Sequence, residues 1–247
     1  MSSVTDARRS LPSDGEIPTA NLFAWIAERG ATLIDRQHEV LERLQLREED
    51  PQRLAGLFRL DHLAAQLRRN SNTALVLAGL PTIRSIDAPT VLSELAHAAV
   101  SEVNGYQRVT VGAFPTRRVQ AHAASDLVHL LGDLLENALA MAPRTGGVWI
   151  RGERPQAEGT GAPALLRVGD SGAHVSDELL GQLNDSLAGL ARNGGGTGVG
   201  LVVTREIARR HSLTVHFQRL VSGGLVATVA LPEALFETPD PASAPWS

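Results

Sequence analysis

Apolar residues recur at helical spacing through the first third of the chain. A period near 3.6 residues runs from residue 21 to about residue 44 and resumes from about 52 to 78, which predicts two helices. Between them, Glu48-Glu49-Asp50-Pro51 interrupts the pattern, and its proline suits the first turn of a new helix. Gly79-Leu80-Pro81 ends the second helix. Two helices joined by so short a turn predict an αα-hairpin.

From residue 85 onward, the apolar pattern alternates between helical and extended periods. It predicts helices over 91–103, 125–141 and 199–210, and strands over 109–114, 147–152, 165–168, 213–219 and 224–231, the last two forming a hairpin around Ser222-Gly223. The expected fold class is α+β: an N-terminal two-helix hairpin followed by a mixed sheet covered by helices on one face.

The pattern divides the chain into four segments. Residues 1–19 are polar and predict a disordered lead-in, 20–80 form the hairpin, 85–235 form the second domain, and the proline-bearing 236–247 form a loose tail. An isolated hairpin leaves apolar surface exposed. Pairing it with a second copy gives a four-helix bundle, so a homodimer is expected. The alternative is that the hairpin packs on its own second domain.

Composition narrows the class of protein. The chain has 247 residues and a net charge of −4 without a long basic run, which argues against nucleic acid as a partner. No apolar run reaches the roughly 20 residues of a membrane span, and the N-terminus lacks a signal-peptide core, so a cytoplasmic location without a membrane segment is expected. The sequence has no lysine, so a side chain that brings positive charge to a phosphate must be arginine or histidine.

A carboxylate and an amide lie one helical turn apart in the second domain. Asp133 and Asn137 share a face of a predicted helix. An asparagine oxygen is a suitable hard ligand for Mg²⁺ that bridges ATP phosphates, and a carboxylate one turn earlier can orient a nucleophile or accept its proton. Two polar residues on a solvated helix face are the alternative interpretation.

A second carboxylate and a glycine-rich turn follow in order. Asp170 ends an apolar strand, where it can accept a hydrogen bond from an exocyclic amine such as that of adenine, and Gly172 lets the backbone approach a flat base. A turn capped by aspartate is the alternative. Residues 194–200 are glycine-rich and open a helix, whose N-terminal N–H groups form an anion site. Here the alternative is a flexible loop.

In this order, the motifs resemble those of the ATPase superfamily of gyrase, heat-shock chaperones, histidine kinases and MutL. Residues 133–137 look like its asparagine box, 170–172 like its first glycine box and 196–200 like its second. Over about residues 20–232, the chain resembles the cytoplasmic part of actinobacterial sensor histidine kinases of the nitrate-sensor-like type. The segments that carry this closer resemblance are EEDP at 48–51, LFRLDHL at 57–63, LVLAG at 75–79, DLVHLL at 126–131 and ARRH at 208–211.

The resemblance implies an α/β-sandwich ATPase domain of the histidine kinase type. It implies that Asn137 binds Mg²⁺, that Asp170 reads adenine, and that Asp133 stands where a catalytic glutamate is usual. The implied nucleotide-binding set is Asn137, Asp170, Gly172, Gly196, Thr197, Gly198, Val199, Gly200 and Leu201, with a lid over about 175–193. Two positions depart from the family. Ala140 replaces a usual lysine, for which Arg144 or Arg192 is the expected substitute, and His174 replaces a usual glycine.

A histidine kinase also needs an exposed histidine on its helical bundle. His62 lies in the segment that best resembles the family, and Asp61 is expected to raise the basicity of its ring or accept its proton. His38 is followed by Glu39 and lies on the first helix, where commoner kinases keep the phosphoacceptor. His62 is the favoured candidate and His38 the second, and the alternative is that neither is phosphorylated. His129 is expected to be structural.

The sequence therefore predicts a dimeric histidine protein kinase core. It is expected to bind ATP with Mg²⁺, to autophosphorylate a histidine and to pass the phosphoryl group to a response regulator. The departures at Ala140 and His174 favour a second interpretation, a degenerate nucleotide-binding scaffold that acts through protein partners. A third is an anti-sigma-like ATPase or serine kinase, against which the helical hairpin argues.

Overall fold

The computed structural model describes residues 19–80, 82, 86–153, 163–172, 175–190, 198–221 and 223–237. The helices are α1 Thr19–Gln45, α2 Pro51–Leu77, α3 Leu92–Ser101, α4 Ala121–Met141, α5 Asp177–Ala188 and α6 Val199–Arg210. The strands are β1 Thr90–Val91, β2 Val109–Val111, β3 Arg118–Val119, β4 Val148–Glu153, β5 Ala164–Asp170, β6 Thr214–Arg219 and β7 Leu225–Leu231, and short 3₁₀ turns cover Tyr106–Arg108 and Glu233–Leu235.

The two N-terminal helices pack against each other as a hairpin. The Asp50 side chain caps α2 by accepting hydrogen bonds from the backbone N–H groups of Gln52 and Arg53, at 2.7 and 3.3 Å. Pro51 occupies the first helical position, as the interruption at 48–51 predicts. Large apolar side chains nevertheless remain exposed on the hairpin, among them Trp25, Leu33, Phe58, Leu63 and Leu67.

The second part of the chain is a five-stranded mixed sheet with helices against it. Its strand order is β2-β4-β5-β7-β6, in which β2 and β4 are parallel and every other pair is antiparallel. Helix α4 contacts α3, α6 and strands β4 and β5, and nearly all of its apolar side chains are buried. The α+β prediction is confirmed, because the alternating strands can bury their apolar face only against such helices.

Several elements differ from the predicted pattern. Helix α4 begins at Ala121, four residues before the predicted start, because Ala123 and Ala124 are fully buried and too small to mark the apolar period. The two-residue strands β1 and β3 pair with each other and were not predicted. Paired strand structure in β2 ends at Val111, short of residue 114.

The predicted tail begins with a packed residue. Phe236 is buried and bridges to Val119, and the Arg117 guanidinium lies 3.9 Å from its ring centroid. Ordered packing thus extends to Glu237, whose N–H donates to the Arg118 carbonyl. Residues 1–18 and 238–247 lie outside the described residues.

A buried ionic cluster joins the linker after α2 to the ATPase-like part. The Asp126 carboxylate of α4 accepts hydrogen bonds from Arg210 Nη1 at 3.0 Å and Thr82 Oγ1 at 3.0 Å, and it lies 2.8 Å from His211 Nε2. Arg210 also donates to the Leu80 carbonyl. Leu80 and Thr82 are thereby held against α4 and α6. Within the described residues, no helix has the length and apolar character that crossing a membrane requires.

Candidate nucleotide site

A cavity of about 210 Å³ opens between α4, α5, α6 and the sheet. Its walls are mostly apolar, and its polar side chains are those of Asn137 and Asp170. A mostly apolar cleft with a few placed polar groups is the usual form of a small-molecule site. Apolar residues that line it include Leu134, Met141, Val168, Leu183, Phe217 and Ala227.

Asp170 marks one end of this cavity. It is fully buried at the end of β5, where Oδ1 accepts a hydrogen bond from the Gly172 N–H and Oδ2 one from the Leu225 N–H, each at 3.0 Å. These two bonds fix the orientation of the carboxylate. A carboxylate has about four lone-pair sites, so it can accept hydrogen bonds from several donors at once, as recognition of an amine would require.

Gly224 packs against Asp170 and is not part of any motif identified in the sequence. Its φ of +96° lies in the region that favours glycine, and a Cβ there would lie 2.3 Å from the Asp170 carbonyl oxygen and 3.0 Å from Oδ1. The glycine pair 223–224 signals a turn in the sequence. Only the β5–β7 pairing shows that this turn lies against the carboxylate.

A second group of residues, the Asp133 end, consists of Asp133, Asn137 and Gly200; Asn137 lines the cavity, and Asp133 and Gly200 lie next to it. A Cβ at Gly200 would lie 3.7 Å from Asp133 Cγ and 3.9 Å from Asn137 Nδ2, so the first turn of α6 rests directly on these side chains. Gly198 precedes α6 and lines the cavity, and no side chain among the described residues caps this helix start. The N–H groups of this turn are therefore the kind of donors that bind phosphate.

Polar atoms at this end are buried without a hydrogen-bond partner in the described part of the chain, among them Asp133 Oδ2 and Asn137 Nδ2. Burial raises the pKa of Asp133 to about 7. The Glu136 charge also raises this pKa, and the Arg69 charge lowers it. Such unpaired buried groups are rare unless they serve a ligand or a reaction. Asp133 is thus not on a solvated helix face.

Arg69 was not predicted, yet it lies beside this end. It belongs to α2, is 5% exposed, and forms an ion pair with Glu136; its Nε lies 3.9 Å from Asp133 Oδ1. One turn along α4, His129 is also buried beside α2, with Nε2 3.3 Å from Thr73 Oγ1. Burial and the Arg69 charge together lower the pKa of His129 to about 4, although the Asp126 charge raises it, which fits the structural role expected for His129.

Other predicted site residues lie elsewhere. Arg144 is exposed and is not one of the residues that line the cavity, whereas Ala140 is. Val199 is exposed, while Leu201 is buried and lines the cavity. Outside the described residues lie Gly196, Thr197, His174, Arg192 and the side chain of His62.

His38 has two acidic neighbours on the hairpin. Its Nδ1 lies 2.8 Å from Asp61 Oδ1 and its Nε2 3.3 Å from Glu42 Oε1. Asp61, expected to act on His62, therefore contacts His38 across the two helices.

The segment expected to form a lid contains helix α5. This helix contacts α6 and β6, and the Asn184 side chain both donates to the Phe217 carbonyl, at 3.0 Å, and accepts from the Phe217 N–H, at 2.9 Å. Leu179 and Leu183 of α5 line the cavity. This part of the segment is therefore a wall of the site that is anchored to the sheet.

Residues 122–235 match the family described as histidine kinase-, DNA gyrase B-, and HSP90-like ATPase. The matched segment contains helices α5 and α6, strands β4 to β7 and all but the first residue of α4. It contains all the described residues at both ends of the cavity except Arg69, which lies on the hairpin.

Two curated relatives and a solved structure are also similar to this chain. Sensor protein CreC of Escherichia coli is 27% identical over 174 residues, which are 70% of this chain and 34% of CreC. Sensor-like histidine kinase SenX3 of Mycobacterium tuberculosis is 29% identical over 163 residues, 64% of this chain and 38% of SenX3. The chain thus spans about a third of these relatives. Full-length ShkA in complex with AMPPNP shares the fold, with a TM-score of 0.52 and 16% identity over 89% of this chain and 46% of ShkA.

Proposed function

We propose that this chain is the core of a histidine protein kinase. It binds ATP in the cavity, transfers the γ-phosphoryl group to a histidine of the hairpin, and then passes it to an aspartate of a response regulator. The observation that carries the proposal is the pair of cavity ends: a backbone-fixed carboxylate at one end, and unpaired polar atoms beside a helix N-terminus at the other. This arrangement suits a base at one end and phosphates at the other.

Asn137 is the residue that would hold Mg²⁺. Its side chain borders the cavity, and Oδ1 is the atom that would bind the ion, while the buried Nδ2 has no hydrogen-bond partner among the described residues. The described residues contain no group of three or more acidic or histidine side chains that would bind a metal without help. This fits Mg²⁺, which usually binds through one or two protein groups together with substrate phosphates. When bound, it would neutralise charge on the transferring phosphoryl group.

The chemical step needs a neutral imidazole aligned with the γ-phosphate. The ring nitrogen forms the new N–P bond as the bond between the γ-phosphorus and the bridging oxygen breaks, and ADP leaves. His62 is the proposed phosphoacceptor and His38 the second candidate. Asp133, with its raised pKa, is the proposed group that receives the imidazole proton.

The proposed kinase is a homodimer. Apolar side chains on the hairpin remain more than half exposed at Trp25, Leu33, Phe58, Leu63 and Leu67, although α2 already packs on α6. A second hairpin that covers them would complete a four-helix bundle. Replacing Phe58 and Leu67 with glutamate is expected to convert dimer to monomer by analytical ultracentrifugation. A wild-type monomer at micromolar concentration would contradict the proposed dimer.

Labelled ATP tests the kinase proposal directly. The wild-type chain with γ-labelled ATP and Mg²⁺ is expected to acquire a label that is stable to base and labile to acid, and His62→Gln is expected to lose it. His38→Gln is the matched variant on the other helix of the hairpin and is expected to retain it. Loss in His38→Gln alone would reassign the phosphoacceptor. Persistence of the label in both single variants would contradict both assignments.

The degenerate-scaffold alternative has one structural observation in its favour. None of the described residues that line the cavity is positively charged, and Ala140 is one of them. Titration of a fluorescent ATP analogue with and without Mg²⁺ separates the two functions. Mg²⁺-dependent binding with turnover supports the kinase, and binding without turnover supports the scaffold.

A further inference from the structure

One buried arginine links the hairpin to the candidate site. The Arg69 guanidinium pairs with Glu136, and its Nε lies 3.9 Å from Asp133 Oδ1. A Cβ at Gly132 would lie 3.0 Å from Arg69 Nη1, so the α4 backbone also packs against this side chain. A buried charge destabilises a protein unless its partners hold it in a defined geometry. The position of the Arg69 side chain therefore depends on its contacts with α4.

The contacts of α2 define how it lies along α4. Arg69 meets Glu136, and four residues later Thr73 meets His129. Between these two contacts, residue numbers rise along α2 while they fall along α4, so the two helices run in opposite directions where they meet. The part of α2 that precedes Arg69 therefore extends toward the C-terminal end of α4, beyond Asn137.

Residue 62 occurs seven positions before Arg69. Seven residues are two helical turns, so the two positions lie on the same side of α2, about 10 Å apart along its axis. That side faces α4 at Arg69. His38 lies instead on α1 and contacts Asp61 across the hairpin. The pairing of Arg69 with α4 therefore affects where position 62 of α2 lies relative to α4.

We infer that Arg69 is a positioning residue for phosphoryl transfer, which holds the phosphoacceptor helix α2 in register with Asp133 and Asn137 on α4. This inference rests on the proposed kinase function. Arg69 does not line the cavity, so it acts on the alignment of the histidine rather than on ATP binding. A misplacement of about 1 Å between reacting groups can cost about 100-fold in rate, which makes such alignment consequential.

Arg69→Met and Arg68→Met form a matched pair. Arg68 is the adjacent residue and also reaches the second part of the chain, with Nη2 3.7 Å from Glu102 Oε1, but this partner follows α3 rather than lying on α4. With saturating ATP, Arg69→Met is expected to lower the autophosphorylation rate about 100-fold while leaving the Kd for AMPPNP within about twofold. Arg68→Met is expected to keep the rate within about threefold. Equal slowing by both variants would overturn the inference, and so would an unchanged rate in Arg69→Met.

Two further variants separate positioning from folding. Arg69→Lys keeps the charge and is expected to retain an intermediate rate. The exchange Arg69→Glu with Glu136→Arg restores the ion pair with its charges reversed, and it is expected to be faster than Arg69→Glu alone. An exchange variant that binds AMPPNP normally but is no faster than Arg69→Glu would count against positioning through this pair.

A distance measurement keeps the test independent of turnover. The chain has no cysteine, so Arg59→Cys on α2 and Thr145→Cys after α4 give unique sites for spin labels. The distance distribution between them is expected to broaden in Arg69→Met and to stay narrow in Arg68→Met. If the wild type binds AMPPNP but is never phosphorylated, the kinase proposal fails, and this distribution alone decides whether Arg69 positions α2. An unchanged distribution in Arg69→Met overturns that role.

Discussion

The two ends of the cavity are built in opposite ways. At the Asp170 end, both carboxylate oxygens accept backbone N–H groups, and all the participants belong to neighbouring strands and turns. At the Asp133 end, polar atoms of Asp133 and Asn137 are buried without hydrogen-bond partners in the described residues, and the adjacent cation, Arg69, comes from a different part of the chain. The carboxylate at the first end is already held in place by backbone hydrogen bonds. The second depends on how the hairpin packs against α4, so it is the end that a conformational change can alter.

The largest expected effect is on the rate of autophosphorylation, with little change in nucleotide binding. Asp133→Asn keeps the shape of the side chain but removes the proposed proton acceptor, so autophosphorylation is expected to fall about 100-fold or more. The Kd for AMPPNP is expected to change less than about threefold. Stopped-flow labelling and fluorescence titration measure the two quantities. A loss of affinity as large as the loss of rate would show that the two ends do not have separate roles.

Asp170→Asn is the reciprocal change. An amide at this position offers one acceptor oxygen where two backbone donors are now satisfied, so the Gly172 or Leu225 N–H loses its partner. AMPPNP affinity is expected to fall about 30-fold, since bonds to charged acceptors contribute roughly 1.5–3 kcal/mol. Asp185→Asn, on the exposed side of α5, is the control and should bind like wild type. Normal binding by Asp170→Asn would remove this end from the proposed site.

We expect part of the loss of folding stability at acid pH to arise at the contact between α2 and α4. Burial lowers the folded pKa of His129 from 6.5 to about 4, so its neutral form stabilises the fold above pH 6.5, and this contribution is lost as the pH falls toward 4. It amounts to roughly 2–3 kcal/mol in the free energy of unfolding. His129→Leu is expected to flatten the change in that free energy between pH 7 and 4.5, as measured by urea titration. The exposed His97→Leu should leave the change as it is in wild type.

The smallest expected effect concerns the backbone behind Asp170. Gly223 and Gly224 both have positive φ, but only Gly224 would bring a Cβ into contact with Asp170. Gly223→Ala is expected to lower the free energy of unfolding by about 1 kcal/mol through strain alone. Gly224→Ala is expected to lower it by about 3 kcal/mol, and to weaken AMPPNP binding as well. Equal effects in the two variants would mean that the carboxylate does not need this close approach.

The sequence pattern was informative where a signal is local. The interruption at Glu48-Glu49-Asp50-Pro51 predicted the start of α2, and the structure shows the reason in the Asp50 cap. The glycine-rich run predicted where α6 begins, because a helix N-terminus with free N–H groups follows it directly. Helix α5 was not predicted from the sequence, although Ser176 caps it, because the resemblance implied a lid over these residues.

Long-range contacts were beyond the reach of such patterns. Nothing near Arg69 in the sequence indicates that it pairs with a residue 67 positions later, and Asp61 was assigned to its sequence neighbour His62 although it contacts His38. Gly224 looked like an ordinary turn residue. In each case the deciding partner is brought close by helix or strand packing rather than by spacing along the chain.

By itself, the sequence determined the order of helices and strands and the residue types at the two ends of the cavity, because period, caps and turns act over a few residues. Only the tertiary structure decided that Asp133 is buried, that Asp170 is held by two backbone donors, and that the hairpin contributes Arg69 to the site. Burial and charge pairing depend on which surfaces meet. That choice belongs to the packed chain as a whole, and at the Asp133 end it creates the contact on which the proposed transfer depends.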